Sequence, residues 1–297
     1  MPVEDLASYV GPTPYCNWVI KGKVMAGGYP ASVDDEENDE LLLLLMRDYA
    51  FDTFVCLQSE VSPHATERSW RSGRAPRPYM HDIRRLMAAH KRDLPNPKVD
   101  FVHLPIVDGS VTSDAVLDRF VDDLIRRVRA GKRLYIHCWG GHGRTGTVVA
   151  IMLGRMYDVT TSQALARTQL LHDLRDEPQD VGSPSTEVQR AQVRRLLGAR
   201  YGGPGDGDRA RDEYPGRGSL HRGERAGYGG GYAGYVGYGG LRSRSLEVNV
   251  GVGVSTAAER AAAARERLLR RTPSSPKSPK TGGPRTPAAV PPERRWR

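Results

Sequence analysis

A ten-residue segment at positions 137–146 constrains the fold more than any other part of this sequence. It reads His-Cys-Trp-Gly-Gly-His-Gly-Arg-Thr-Gly, with a short apolar, β-prone run before it at 134–136 and an apolar, helix-like run after it at 147–157. Glycines let the backbone fold tightly and direct successive N–H groups to one side. The start of a helix favours an anion. The segment therefore predicts a strand, an anion-binding loop and a helix in succession.

The side chains of this segment suit chemistry on a phosphate group. The partial positive charge that holds an anion also stabilises a thiolate, so we expect Cys138 to be a nucleophile at neutral pH. Arg144 carries a planar fork that binds two phosphate oxygens at once. The hydroxyl of Thr145 would ease departure of the sulfur when a cysteinyl-phosphate is hydrolysed. These residues predict two-step covalent catalysis without a metal or another cofactor.

Backbone N–H groups and the arginine would hold the phosphate, with His137 supporting the loop from the strand. His142 is the only titratable residue between the cysteine and the arginine; its protonation would make binding pH-sensitive, or its ring points to solvent. A structural turn with a buried thiol is the alternative for the whole segment. The predicted phosphate-binding residues are Trp139, Gly140, Gly141, His142, Gly143 and Arg144.

The pattern Cys-x5-Arg-Thr, preceded by His137, resembles the signature of the cysteine-dependent protein tyrosine phosphatase superfamily and is similar to its dual-specificity branch. The paired glycines and the segment Pro-Ile-Val-Asp-Gly at 105–109 look most like cyclin-dependent-kinase-associated phosphatase and small bacterial, plant and algal relatives. The likeness spans residues 14–198. It implies an α/β fold with a central, mostly parallel sheet flanked by helices, and hydrolysis of phosphotyrosine together with phosphoserine or phosphothreonine in proteins.

The resemblance also implies a proton donor for the leaving oxygen, and Asp108 is the candidate. It follows the strand-like run at 101–105 and precedes Cys138 by thirty positions. Asp-Gly is also a common turn dipeptide, which is the structural alternative. Asp114 is the second candidate, although an aspartate in the first turn of a helix is expected for capping and dipole reasons alone.

A basic stretch between residues 60 and 98 bears on the class of substrate. It forms either a rim around the pocket that favours a multiply anionic substrate, or a solvated loop and helix face. The phosphate-binding segment itself contains no lysine, unlike the loops of the lipid-directed branch, and this favours a phosphoprotein over a phosphoinositide or another non-protein phosphate. The basic residues are Arg68, Arg71, Arg74, Arg77, Arg84, Arg85, Lys91 and Arg92.

The cysteines and the apolar runs bear on the cellular location of the protein. Cys56 lies in an apolar run and is either an inert buried thiol or, as in some members of the superfamily, the partner of Cys138 in a protective disulfide. Three widely spaced cysteines show neither a zinc pattern nor a disulfide framework. Five leucines at 41–45 are too few for a membrane span, and no signal peptide is evident. We expect a cytoplasmic or nuclear location.

Composition divides the chain near residue 200. Residues 1–200 contain 26 basic and 26 acidic residues, whereas the remainder contains 18 and 9 and is rich in glycine and tyrosine, then in proline, serine and arginine. We predict a catalytic domain over 1–199 and a disordered tail over 200–297. The tail contains a helix-prone island at 256–271 and, at 272–287, Ser-Pro and Thr-Pro pairs that resemble sites of proline-directed kinases. Its tyrosines and arginines leave nucleic-acid or phosphoprotein scaffolding as an alternative main function.

The alternation of apolar patterns along residues 1–199 predicts the layered α/β architecture independently of the motif. Gln189 and Gln192 are predicted as ordinary surface residues of the last helix. The predicted strands are 18–26, 52–58, 101–105 and 133–137, and the predicted helices are 39–49, 114–130, 144–157, 161–174 and 185–198.

Overall fold

The computed structural model describes residues 6–176 and 181–198 of the 297-residue chain. The predictions for residues 200–297, namely the disordered tail, the helix-prone island at 256–271 and the kinase and nucleic-acid sites, lie outside the described residues. The predicted catalytic domain is described apart from residues 1–5, 177–180 and 199.

A five-stranded sheet forms the centre of the described structure, in the order β1-β2-β5-β3-β4. β1 and β2 are antiparallel, and the other three neighbouring pairs are parallel. The mostly parallel α/β sheet is therefore confirmed. The prediction of one strand at 18–26 is wrong, because Gly22 at φ +70° turns the chain into a hairpin. The strands are β1 (Cys16–Ile20), β2 (Val24–Gly27), β3 (Thr53–Gln58), β4 (Asp100–Ile106) and β5 (Leu134–His137).

Seven α-helices are described, and four of the five predicted ones are confirmed within a few residues. The predicted helix at 39–49 starts earlier and continues as a π-helix at Leu44–Asp48. Two helices in the basic stretch were not predicted. The first, at 67–71, is too short to show a period, whereas in the second, at 79–89, Tyr79, Ile83 and Leu86 recur at helical spacing and the signal was missed. No helix of the described residues is long and apolar enough to cross a membrane. The helices are α1 (Asp35–Leu43), α2 (Glu67–Arg71), α3 (Tyr79–Ala89), α4 (Asp114–Arg129), α5 (Gly143–Tyr157), α6 (Thr161–His172) and α7 (Glu187–Gly198), and a 3-10 turn spans Leu6–Tyr9.

Apolar side chains are buried on both faces of the sheet, because successive residues of a strand point to opposite faces. Leu134 and Ile136 of β5 pack in the cluster that includes α4, α5 and α7, whereas Tyr135 packs in the cluster that includes α1 and α3. Helix α5 is buried along most of its length. The chain between β5 and α5 is thus held by a central strand on one side and by the most buried helix on the other.

Three arginines of the basic stretch are tied to carboxylates of the fold. Arg77, which is 7% exposed, pairs with Asp35 and Asp82. Arg71 pairs with Asp35 and with a glutamate of its own helix, and Arg85 pairs with Asp82 and with an aspartate of α1. These three side chains join α1, α2 and α3, so they support the interpretation of this stretch as a helix face rather than as a rim around the pocket.

Candidate active site

The segment between β5 and α5, residues 138–142, is called the phosphate loop below. Its position confirms the predicted succession of strand, loop and helix. Gly141 has φ +77°, and a Cβ there would lie 2.3 Å from the carbonyl oxygen of Gly27 on β2. A side chain at this position would be strained in both respects. Glycine is therefore required where the loop passes the neighbouring strand.

Three carbonyl groups of the phosphate loop accept hydrogen bonds from groups outside it. In a trans peptide unit the C=O and the following N–H point in opposite directions. The N–H groups that follow these carbonyls are therefore turned to the other side of the loop, as an anion site requires. The bonds run from Nδ1 of His137 to the oxygen of Cys138 at 3.3 Å, from the amide of Tyr29 to the oxygen of Trp139 at 2.8 Å, and from Oγ of Ser183 to the oxygen of His142 at 3.1 Å.

His137 is fully buried below the loop, and its Nε2 lies 2.8 Å from the hydroxyl of Tyr79 on α3. Burial lowers the pKa of His137 to about 3, so its ring is neutral at neutral pH. Because the carbonyl oxygen of Cys138 only accepts, Nδ1 carries the proton and Nε2 accepts from Tyr79. Through these two hydrogen bonds, His137 connects the carbonyl group of Cys138 in the loop to Tyr79 of α3.

Arg144 is almost completely buried, with 1% of its side chain exposed. Its Nη1 donates to both carboxylate oxygens of Glu60 at 2.8 Å and to the carbonyl oxygen of Ile106 at 3.0 Å. Its Nε is buried without a hydrogen-bond partner. Its Nη2 lies 2.9 Å from Oδ1 of Asp108, in an ion pair that lacks hydrogen-bond geometry. A buried donor without an acceptor is costly, and two oxygens of a phosphate would satisfy Nε and Nη2 together.

Asp108 follows β4 at the mouth of the phosphate loop, with 76% of its side chain exposed. Asp114 instead lies in the first turn of α4, where Arg195 and Gln192 of α7 bind its carboxylate. Hydrogen bonds from Arg195 and then from Gln192 lower the pKa of Asp114 to about 2. Such an acidic carboxyl is a poor proton donor near neutral pH. The structure thus brings Asp108 to Arg144 and ties Asp114 to α7.

The segment between β4 and α4, residues 107–113, is called the acid loop below, and the start of α7 holds it. Gln189 and Gln192 are each only 1% exposed, so the prediction that they are surface residues is wrong. A glutamine can be buried when its side-chain amide donates to a backbone carbonyl group. Such burial leaves no pattern of apolar residues in the sequence. The bonds run from Oγ1 of Thr186 to the oxygen of Gly109 at 3.1 Å, from Nε2 of Gln189 to that of Ser110 at 3.2 Å, and from Nε2 of Gln192 to that of Thr112 at 2.6 Å.

The other predicted residues also lie at the loop. Oγ1 of Thr145 is buried and makes no hydrogen bond in the described part of the chain. The Trp139 ring stacks on Tyr29, with centroids 5.7 Å apart, and is partly exposed. Nδ1 of His142 lies 2.7 Å from Nε2 of His172, so its ring does not simply point to solvent. Burial and, secondly, the nearby Arg175 lower the pKa of His142 to about 4.

Cys138 is 3% exposed at the start of the loop, and Cys56 on β3 stands opposite His137 in the parallel register. Burial raises the pKa of Cys56 to about 12. This thiol is therefore protonated and unreactive at neutral pH. All three cysteines of the chain are reduced. A protective disulfide between Cys56 and Cys138 stays a prediction. Within residues 6–176 and 181–198, no group of three or more histidine, cysteine, aspartate and glutamate side chains is placed to hold a metal ion.

Two contacts of the site, one to Arg144 and one to the phosphate loop, were missed by the sequence analysis. Glu60 follows β3 and binds Arg144. Its position directly after a buried strand was a usable signal, because the carboxyl ends of parallel strands meet at one edge of a sheet. Arg175 follows α6 and contacts the loop from behind. Nothing local marks it, because it lies more than thirty residues along the chain from its partners.

Comparisons with known proteins agree with this geometry. The family model described as "Swiss Army Knife protein, DSP-PTPase phosphatase domain" matches residues 13–195. "Putative tyrosine phosphatase 197R" of Invertebrate iridescent virus 6 is 32% identical over 79 residues, which cover 25% of this chain and 30% of the viral protein. The chain spans about a third of the length of the first curated relatives it matches.

Among solved structures, the chain is similar to Tk-PTP in its active form and to kinase associated phosphatase with a serine in place of its catalytic-site cysteine. Tk-PTP is 26% identical, with a TM-score of 0.41 over 62% of this chain and 97% of that one. Kinase associated phosphatase is 19% identical, with a TM-score of 0.41 over 59% of this chain and 88% of that one.

Replacing Glu60 by alanine should weaken the binding of inorganic phosphate by about 10- to 100-fold, because Arg144 loses the two bonds that orient it and a hydrogen bond to a charged group is worth about 1.5–3 kcal/mol. Isothermal titration calorimetry measures the affinity. Glu67→Ala, which removes an exposed partner of Arg71, is the control and should bind phosphate as the wild type does. Equal affinity of Glu60→Ala and wild type would contradict this role.

The free energy of unfolding should fall as the pH is lowered from 6.5 towards 4. His137, His142 and His172 have pKa values lowered by burial, so the unfolded chain binds more protons than the folded protein in this window. Each contributes a slope of up to about 1.4 kcal/mol per pH unit. Urea unfolding at pH 7.5, 6 and 5 measures the change. A free energy that stays level over this range would contradict the burial of neutral rings.

Proposed function

Because the chain belongs to the DSP-PTPase phosphatase domain family, we propose that it hydrolyses phosphate monoesters on proteins through a cysteinyl-phosphate at Cys138. The observation that carries this proposal is the environment of Arg144. A buried guanidinium has one nitrogen, Nε, without an acceptor and another, Nη2, in a poorly directed ion pair, and it follows a loop whose carbonyl groups accept hydrogen bonds from outside the loop. A tetrahedral dianion meets these donors together.

In the first step the thiolate of Cys138 attacks phosphorus, an S–P bond forms and the bond from phosphorus to the ester oxygen breaks. Loop N–H groups and Arg144 hold the remaining phosphate oxygens, where negative charge is present in the transition state. The bound dianion takes the place of the Asp108 carboxylate beside Nη2 and leaves the Asp108 carboxyl free to face the leaving oxygen. Asp108 then donates its proton to the leaving oxygen.

In the second step water attacks the cysteinyl-phosphate, and the carboxylate of Asp108 takes its proton. The S–P bond breaks, inorganic phosphate leaves and Cys138 returns as a thiolate. The buried hydroxyl of Thr145, which has no hydrogen-bond partner in the described structure, stabilises the departing sulfur. The acid loop keeps its position through both steps because Gln189 and Gln192 bind its carbonyl groups.

The proposed substrates are proteins phosphorylated on tyrosine and on serine or threonine. The phosphate loop contains no lysine, and the arginines that would serve a multiply anionic lipid headgroup include three that are paired with carboxylates of α1–α3. The stacked rings of Trp139 and Tyr29 present a partly exposed aromatic surface beside the loop, which suits a peptide with a phosphorylated aromatic residue. The Ser-Pro and Thr-Pro pairs at 272–287 are proposed as sites of proline-directed kinases.

Phosphate release in EDTA from a phosphotyrosine peptide, a matched phosphothreonine peptide and a phosphoinositide tests this function. Cys138→Ser should release no phosphate above background, because an alcohol replaces the thiolate. Asp108→Ala should lower kcat on both peptides by about 10²- to 10⁴-fold, the usual contribution of a general acid. Asp114→Asn should lose far less, because that carboxyl binds α7.

Turnover by Cys138→Ser at the wild-type rate would rule out the covalent route. Faster hydrolysis of the phosphoinositide than of both peptides would replace the proposed substrate class. No hydrolysis of any substrate by the wild type would leave a protein that only binds phosphorylated ligands.

A further inference from the structure

A second arginine lies behind the phosphate loop, on the side away from the anion. Arg175 comes three residues after the end of α6, and 1% of it is exposed. Its Nη1 donates to the carbonyl oxygens of Gly140 at 3.3 Å and Gly141 at 3.2 Å. Its Nε donates to Oδ1 of Asn17 on β1 at 2.7 Å. The guanidinium therefore joins the loop to an edge strand of the sheet.

These bonds fix two further peptide units of the loop. Because the C=O and N–H of a trans peptide unit point in opposite directions, the N–H groups of Gly141 and His142 face away from Arg175. With the three carbonyls already held by His137, Tyr29 and Ser183, every carbonyl from 138 to 142 is bound from outside the loop. Arg175 alone accounts for two of the five.

The two units that Arg175 holds are the ones that the sequence leaves least constrained. Gly140 and Gly141 have no side chains, and glycine adopts either sign of φ at little cost. A peptide flip at either position would turn a carbonyl oxygen towards the phosphate and remove an N–H donor. A rigid, buried donor behind the glycines prevents that flip, whereas the glycines themselves cannot.

The charge of Arg175 also reaches the reacting atoms. A guanidinium remains protonated when buried, although burial lowers the pKa of Arg175. Cys16, then Tyr135 and then Cys138 act to raise that pKa, and Arg175 adds to burial in lowering the pKa values of His142 and His172. Arg144, Cys56 and Tyr135 also interact electrostatically with Cys138.

We propose that Arg175 is a positioning residue that holds the N–H groups of Gly141 and His142 towards a bound oxyanion and places its positive charge behind the loop that carries Cys138. The proposal rests on the proposed function of the loop and adds a residue outside its sequence motif. A purely structural arginine, which only ties α6 to β1, is the alternative. It would affect stability but neither anion affinity nor the reactivity of the cysteine in the folded protein.

Two measurements on the full chain separate these roles. Calorimetry gives the affinity for tungstate, an inert tetrahedral oxyanion, and the rate of alkylation by iodoacetamide against pH gives the midpoint at which Cys138 becomes reactive. Arg175→Met should bind tungstate about 10-fold more weakly or worse, which is ~1.4 kcal/mol, and should shift the alkylation midpoint to higher pH. Arg175→Lys keeps the positive charge but loses the planar guanidinium. Its tungstate affinity and its alkylation midpoint should therefore lie between those of Arg175→Met and the wild type.

Arg155→Met is the matched control, because it removes another buried arginine, at the far end of α5, that is paired with Asp118 and Asp122. It should leave both readouts at their wild-type values even if it lowers the free energy of unfolding. If Arg175→Met does not fold, Asn17→Ala removes the acceptor that orients the guanidinium and should weaken tungstate binding several-fold.

Wild-type tungstate affinity and a wild-type alkylation midpoint in Arg175→Met, or in both Arg175→Lys and Asn17→Ala, would overturn the proposal. So would an equal loss in Arg155→Met. A different result would show that the proposed function, and not the role of Arg175, is wrong. A wild type that binds tungstate in an Arg175-dependent way but hydrolyses no phosphopeptide would reject the phosphatase activity and support the positioning role.

Discussion

The five carbonyl groups of residues 138–142 must all point away from the pocket, and the described fold supplies a donor for each of them. The donors come from the end of β5, the segment after β2, the segment after α6 and the segment before α7. Elements distant in sequence therefore meet behind one short loop. An anion site made of backbone N–H groups has no side chains of its own to adjust, so its accuracy depends on this surrounding shell.

Arg144 contacts two carboxylates with different roles: one holds the guanidinium in place and the other is the proposed proton donor. Glu60 is largely buried and binds Nη1 with both oxygens, which fixes the plane of the guanidinium. Asp108 is exposed and lies beside Nη2, so it is the partner that a phosphate displaces. Through Gln189 and Gln192, helix α7 holds the backbone of the acid loop while the carboxyl of Asp108 remains exposed at the mouth. One arginine thus organises both the binding of the anion and the approach of the proton donor.

Local patterns predicted the parts of the site that neighbouring residues determine. The strand, the glycine-rich turn and the helix around Cys138 form one continuous segment, and periodicity placed most helices within a few residues. The parts that failed depend on long-range contacts. Glu60 lies 84 residues from Arg144, and Arg175 lies about 35 residues from the loop carbonyl groups that it binds. The buried glutamines of α7 look like surface residues because a polar side chain carries no sign of burial. The hairpin at β1 and β2 was missed although Lys21, Gly22 and Lys23 interrupt the apolar run, because this local turn signal was not used.

The central claim is that phosphate passes through a covalent bond to Cys138, and trapping that intermediate tests it most directly. The full-length protein would be mixed with a phosphotyrosine peptide, quenched within milliseconds in acid, digested and mapped by mass spectrometry. The account predicts one phosphoryl group on the peptide that contains Cys138, and none on that peptide in Cys138→Ser. Turnover with no phosphorylated enzyme at any quench time, or a phosphoryl group on a different residue, would contradict it.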